Sequence, residues 1–237
     1  MKLSAPIFLL KAQAKLIARE TKMPLYAALD QVARSEGFRS WSHLSAAVSD
    51  HRPAREVLSK LRPGDLLLLA ARPGHGKTLL GLQLALEAGR SHRSSFFFTV
   101  VYSEEEILGI LRMLGTDRSE IEDQLIVDTS DHICAEYIID RVGHEARGAV
   151  MVIDYLQVLD QRRSNADLDP QIRSLKLFAA TTESVIVILS QIDRGFKHIG
   201  KELPRLADIR LPNPLDLTLF TKSCFMRNGE AHLQEMA

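Results

Sequence analysis

Gly74, Gly76, Lys77 and Thr78 have the types and order needed to hold a phosphate. They lie in Ala71-Arg72-Pro73-Gly74-His75-Gly76-Lys77-Thr78, which follows the apolar run Leu66-Leu67-Leu68-Leu69-Ala70 and precedes an apolar helical stretch from Leu79 to Ala88. Strand, glycine loop and helix in that order are the context of a phosphate-binding P-loop. Gly74 and Gly76 lack a Cβ, so the backbone can turn its N–H groups onto an anion at close range. The following helix adds its first N–H groups and the positive end of its dipole. Lys77 would reach the β- and γ-phosphates, and the Thr78 hydroxyl would ligate Mg²⁺. The expected nucleotide-binding segment is therefore Arg72, Pro73, Gly74, His75, Gly76, Lys77, Thr78 and Leu79. One departure stands out: Ala71 occupies the first glycine of the pattern G-x-x-x-x-G-K-[ST].

Two further strand ends could complete such a site. Asp154 closes the apolar run Ala149-Val150-Met151-Val152-Ile153. A carboxylate there can bond Mg²⁺ or its waters, although an aspartate ending a strand is also an ordinary turn residue. Val187-Ile188-Leu189-Ser190-Gln191 is a strand with a polar terminus, which either caps the strand or senses a γ-phosphate. Paired with the loop, Asp154 reads as the metal carboxylate and Gln191 as a sensor.

Such residues need a sheet to align them. From residue 54 the chain alternates strands and helices: strands at Leu66–Ala70, Phe96–Val101, Leu125–Val127, Ala149–Asp154 and Val185–Ser190, and helices at Leu79–Ala88, Glu104–Leu114, Asp131–Ala146 and Ile172–Thr182. One or two late strands are expected between Leu215 and Met226. Continuous apolar strands alternating with helices predict an α/β fold with a mostly parallel sheet covered on both faces. Sites in such sheets lie at the carboxyl ends of the strands.

Residues 6–22 and Pro24–Gly37 predict two amphipathic helices, and Ser40 an N-cap for a third from Trp41 to Val48. This is a small basic helical module over residues 1–50, with Phe38, Trp41 and Leu44 holding it. A linker (51–57) and a core of residues 58–237 complete the expected division. Residues 1–62 carry 11 Lys and Arg against 5 Asp and Glu, which leaves 19 against 25 for the rest of a chain whose net charge is zero. The basic end could face nucleic acid or be a solvated helical face. Cys134 and Cys224 have no metal-ligand spacing and read as reduced core thiols. No apolar run approaches the ~20 residues of a membrane helix, and the patch Pro6–Leu10 is broken by Lys11 and Lys15, unlike a secretory signal. A cytoplasmic protein is expected.

Four segments in order carry a resemblance: Leu69–Thr78, Val152-Ile153-Asp154-Tyr155-Leu156-Gln157, Leu189-Ser190-Gln191-Ile192-Asp193-Arg194 and Met226-Arg227-Asn228-Gly229. Together they resemble the C-terminal ATPase domain of DnaB-type replicative helicases, within the RecA-like P-loop NTPase superfamily. The resemblance covers roughly residues 58–230. It implies a RecA-like core that binds ATP and Mg²⁺, assembles as a homo-oligomeric ring and moves along single-stranded DNA. Carried over residue by residue, it makes Lys77, Asp154, Gln191 and Arg227 the catalytic set. Thr78 and Asp154 would be the metal ligands, and Arg227 an arginine finger supplied to the neighbouring subunit's phosphates. If the chain meets DNA, loops after the central strands would supply Arg162 and Arg163, and Arg194, Lys197 and Lys201, to its phosphates; the equal alternative is that these are solvated loop charges.

The sequence departs from that family where its catalytic glutamate ends the second strand, because Val101 stands there. Glu104-Glu105-Glu106 follow but read as a helix start, where carboxylates suit the dipole. Phe225 replaces the basic residue two positions before the finger, and the small module stands in place of the family's collar domain. Two alternatives to a motor therefore stay open at this point. One is a nucleotide-binding regulator or loader that hydrolyses weakly or not at all. The other is an oligomeric scaffold whose N-terminal module binds a partner.

Overall fold

Six strands of the larger unit run parallel, and in all but the outermost nearly every residue is buried, leaving neither face to solvent. The computed structural model describes residues 3–5, 7–44, 53–114, 116, 124–159, 165–192, 203–211, 213–227 and 230–236. The chain divides into two compact units, Met1–Pro53 and Ala54–Ala237.

In the smaller unit, α1 (Ile7–Thr21) and α2 (Leu25–Ser35) pack around Leu10, Ala14, Ala28, Val32, Ala33, Phe38 and Leu44. Gly37, at a φ of 85°, lets the chain leave α2 through a left-handed residue. The next turn is built by side chains: Asp30 Oδ1 accepts the Trp41 N–H at 2.8 Å, and Ser40 Oγ accepts the His43 N–H at 3.2 Å. Residues 41–44 are helical, Trp41 is half-buried against the cluster, and the expected helix beyond 44 lies outside the described residues.

The larger unit opens with α3 (Pro53–Ser59), followed by β1 (Leu66–Ala71), α4 (Lys77–Arg90), β2 (Ser95–Thr99) and α5 (Glu104–Met113). Next come β3 (Ile126–Asp128), α6 (Ala135–Val142), β4 (Val150–Asp154), α7 (Leu168–Thr182), β5 (Val185–Gln191), β6 (Lys222–Arg227) and β7 (Glu230–Glu235). The seven strands form one sheet in the order β3-β2-β4-β5-β1-β6-β7. All neighbours pair in parallel except β6 and β7.

Side-chain alternation sorts each strand between the two layers. Leu67, Leu69, Phe97, Val152 and Leu189 pack with residues of α4 and α5, whereas Leu68, Phe98, Ile153 and Ile188 pack with α6 and α7. Gly81 lets α4 lie close on the sheet, because a Cβ there would stand 3.0 Å from Leu189 Cδ1 and 3.1 Å from Val152 Cγ1. Cys224 is buried on the α4 face, and burial pushes its thiol pKa up to about 12. Cys134 is only half-buried and precedes α6, so it is not a core residue.

α7 begins at Leu168 rather than Ile172, and α6 gives way to a 3-10 turn at Gly143; two further boundaries differ from the sequence expectation for reasons the side chains show. β2 stops at Thr99 rather than Val101, because Thr99 Oγ1 accepts the Val101 N–H at 3.1 Å and turns the chain. The helix expected from Asp131 starts at Ala135, since Asp128 and Ser130 side chains take the N–H groups of Ser130 and His132 and hold a turn.

Candidate functional site

The carboxyl ends of β1, β5 and β4 lie side by side, and each delivers one part of the site. β1 runs into the loop 72–76, where Gly74 and Gly76 sit at φ of 78° and 83°, values an L side chain rarely adopts. The turn is closed by the His75 N–H donating to Arg72 O at 3.1 Å. Gly76 is the N-cap of α4, and no side chain caps that helix end. The first-turn N–H groups are thus left to an anion, with the dipole favouring negative charge. Pro73 and Gly74 are exposed, while Arg72 and residues 75–79 are half-buried.

Asp154 ends β4 at 1% exposure, and two loop residues converge on it. Lys77 Nζ lies 3.0 Å from its Oδ1, and Thr78 Oγ1 donates to its Oδ2 at 2.8 Å. A buried carboxylate is held only where it is paired and hydrogen-bonded, and both conditions are met here. Lys77 Nζ also lies 5.2 Å from the centroid of the Tyr155 ring, a cation–π arrangement. Thr78 Oγ1 and Asp154 together form a small hard-oxygen set of the kind Mg²⁺ accepts, since that ion keeps several waters and takes one or two protein oxygens besides phosphate. Among the described residues no cluster of three or more His, Cys, Asp or Glu could hold a metal by itself.

β5 lies between β1 and β4, and its register places Gln191 opposite Ala71, the residue that enters the loop. By alternation from Leu189, Gln191 falls on the α4 side of the sheet, as Asp154 does by alternation from Val152. On the far side of β1, Met226 of β6 packs against the loop: its Cε would lie 3.8 Å from a Cβ at Gly76. Arg227 follows it at the end of β6 and is half-buried.

The second-strand region carries no carboxylate at the sheet edge. Thr99, in register with Asp154, is fully buried, and Val101 beyond it is half-exposed. Glu104, Glu105 and Glu106 begin α5, with Ser103 as N-cap. Glu106 closes a capping box by accepting the Ser103 N–H at 2.8 Å, and that bond lowers its carboxyl pKa. Arg162, Arg163, Arg194, Lys197 and Lys201 lie outside the described residues. In sequence they follow β4 and β5.

Two side chains given no role by sequence reasoning join the site: Tyr155 beneath Lys77, and Gln157, whose Nε2 donates to Arg210 O at 2.8 Å. Tyr155 could have been noticed as an aromatic directly after the strand-end carboxylate Asp154. Nothing local announces the second contact, which spans 53 residues.

Residues 116–213 match the family model described as the DnaB-like helicase C terminal domain. The replicative DNA helicase DnaB of Leifsonia xyli subsp. xyli is 26% identical over 188 residues, covering 65% of this chain and 41% of that protein. The Haemophilus influenzae replicative DNA helicase DnaB is 26% identical over 200 residues, 68% of this chain and 42% of its own length. The chain thus spans about two-fifths of the curated relatives it matches. Among solved structures, a DnaB-like replicative helicase, solved in a study of its interactions with primase, gives a TM-score of 0.58 at 16% identity over 94% of this chain and 71% of its own. A separately solved ATPase domain superposes with a TM-score of 0.53 at 19% identity, covering 70% of this chain and 76% of that one. The fold is that of the RecA-like ATPase domains. A glycine loop beside a buried strand-end carboxylate is what that fold presents, and over residues 116–213 this chain is similar to the DnaB-like helicase C-terminal domain.

Proposed function

We propose that the chain binds ATP with Mg²⁺ on Arg72–Leu79 and hydrolyses it as a DnaB-type motor acting on single-stranded DNA. The observation that carries this reading is the convergence of Lys77 and Thr78 on the buried carboxylate of Asp154. In the nucleotide complex Lys77 exchanges its carboxylate partner for the β- and γ-phosphates, and the loop N–H groups and the α4 N-terminus receive the remaining oxygens. Thr78 and Asp154 hold the Mg²⁺, which when bound neutralises charge on the phosphate oxygens. Gln191, beside Ala71, senses the γ-phosphate. Arg227 serves as the finger for a neighbouring copy, so the active form is a homo-oligomer.

In this reading residues 1–50 are the appended module and 58–237 the ATPase core, with α3 (Pro53–Ser59) taking up most of the stretch 51–57 expected as a linker. The basic residues Arg162, Arg163, Arg194, Lys197 and Lys201 contact DNA phosphates, which makes binding salt-dependent. No helix among the described residues is long and apolar enough to cross a membrane. A cytoplasmic site of action belongs to the same reading, since that is where a replicative motor meets its DNA. ATP turnover by the purified protein, with and without single-stranded DNA, tests the reading. DNA-stimulated turnover that disappears in Arg227→Ala supports it, and turnover indifferent to both sinks the motor.

One observation favours a slower use of the same site. Val101 is half-exposed at the strand end, and Glu106 is engaged in capping α5. A nucleotide-binding regulator with little turnover would follow if no other group orients the attacking water. Tight ATP binding with no hydrolysis at any DNA concentration selects that reading.

A further inference from the structure

Between the P-loop strand and the turn behind Asp154 runs a circuit of hydrogen bonds that uses one side chain. The Ile192 N–H donates to Ala71 O at 3.1 Å, tying the end of β5 to the residue that enters the loop. One residue earlier, Gln191 O accepts the Arg210 N–H at 2.8 Å, and Ile192 pairs with Ile209 as an antiparallel bridge. Arg210 O in turn accepts Gln157 Nε2 at 2.8 Å. Gln157 lies three residues past Asp154, in the short 3-10 turn Leu156–Val158 that packs against β5. Backbone bonds make every other link, so Gln157 is the one link in this circuit that a substitution can cut.

The chemistry of the amide fixes which way it faces. A carbonyl oxygen only accepts, so Arg210 O holds the NH₂ end of Gln157 and directs Oε1 the other way. That oxygen is buried and has no hydrogen-bond partner among the described residues. The same is true of the hydroxyl of Ser190, the residue just before Gln191. A side chain kept only as a staple would be expected to have both ends satisfied, since an orphaned buried polar atom is costly. Here two adjoining elements each keep one such polar atom, an acceptor on the turn and a hydroxyl on β5.

We propose that Gln157 is a positioning residue that couples the nucleotide end of β5 to the turn behind Asp154 through the backbone of Arg210. This rests on the reading of Arg72–Leu79 and Gln191 as a nucleotide site. Gln157 touches neither nucleotide nor metal. It sets where the Leu156–Val158 turn stands when Gln191 and Ala71 respond to a γ-phosphate.

The test is hydrogen–deuterium exchange by mass spectrometry on the full chain, with and without saturating Mg²⁺–ATP, read on peptides covering 156–159 and 203–211. Binding of a fluorescent ATP analogue is measured on the same samples. In the unaltered chain ATP slows exchange in both peptides. In Gln157→Met, close in size but without a donor, the 203–211 peptide still responds. The response of 156–159 falls at least about threefold, and kcat drops about tenfold with KM unchanged. Gln157→Lys, which keeps a donor for Arg210 O, retains both responses. Thermal melting of each variant shows that loss of response is not loss of fold.

Equal responses of both peptides in Gln157→Met overturn the proposal, as does loss of both responses in Gln157→Lys while the variant stays folded. Analogue binding to the unaltered chain with neither peptide responding also overturns it, and leaves the nucleotide reading standing. Failure of the analogue to bind overturns the nucleotide reading and this coupling with it.

Discussion

Two helices of the core open toward the same edge of the sheet, α4 after β1 and α5 after β2, and their first turns are finished in opposite ways. α4 begins on Gly76, a left-handed residue with no side-chain cap, so the N–H groups of its first turn are not satisfied by a capping side chain. α5 begins on Ser103 with a complete capping box, and three glutamates crowd its first turn. Every helix N-terminus has the same orphan donors and the same positive dipole end. A closed cap uses that potential for local stability. An open one keeps it for a ligand, and the helix must then be held by the glycine backbone and the packing of α4. The contrast explains why Glu106, near in sequence to the place where water would be activated, is a structural group: its carboxylate is already committed to Ser103.

The contrast is broken most severely at Lys77. Lys77→Ala removes the proposed phosphate ligand and at the same time leaves the Asp154 carboxylate buried without its cation. ATP affinity should fall about 100-fold or more, the loss of a charge-assisted bond in a dry site. Titration with a fluorescent ATP analogue measures this, and retained affinity would remove Lys77 from the site. Next comes Val101→Glu, which places at the end of β2 the carboxylate that α5 does not offer. A side chain there is half-exposed and needs no core rearrangement. If water activation limits turnover, the variant should gain about tenfold or more in kcat, with KM little changed. Unchanged turnover in a steady-state ATPase assay would mean that another group orients the water.

The parts of the site that could be read from sequence are those carried on one short segment. The loop, Asp154 and Gln191 each follow an unbroken apolar strand, and burial on both faces leaves such a run one reading. The order of those strands places Gln191 between Ala71 and Asp154. The ends of elements were less legible. Val100 and Val101 have high strand propensity, yet the chain turns at Thr99 because a hydroxyl captures an N–H two residues on. Asp131–Cys134 read as helix for a similar reason, and lost to side-chain turns at Asp128 and Ser130. Least legible were Gln157 and Arg210, whose bond exists only once the segment after β5 has folded back on the sheet.

A milder blow to the open helix end is Gly76→Ala. Steric room is not the obstacle, because the nearest atom to the new Cβ is Met226 Cε at 3.8 Å, an ordinary contact. The cost is backbone alone: holding an L residue at a φ of 83° costs about 1–2 kcal/mol. Thermal unfolding should therefore shift down by about 2–4 °C for each kcal/mol, and any relaxation of the turn should also weaken ATP binding. An unchanged melting temperature would mean that the loop does not hold this conformation in solution.

The smallest effect belongs to the closed end. Ser103→Ala removes the cap of α5 and should cost about 1 kcal/mol, read as a lower melting temperature with ATP affinity unchanged. Glu106→Gln sharpens the point through pH. The Ser103 N–H bond holds the Glu106 carboxyl below its ordinary value, so its stabilising contribution is present above the unfolded pKa of about 4.3 and is lost as pH falls through the lowered folded value. The melting difference between the unaltered chain and Glu106→Gln should be widest near neutrality and close below about pH 4. ATP affinity should not differ between the two at any pH in that range. A change in affinity would place Glu106 with the nucleotide after all, and the distinction between an open and a closed helix end would fail.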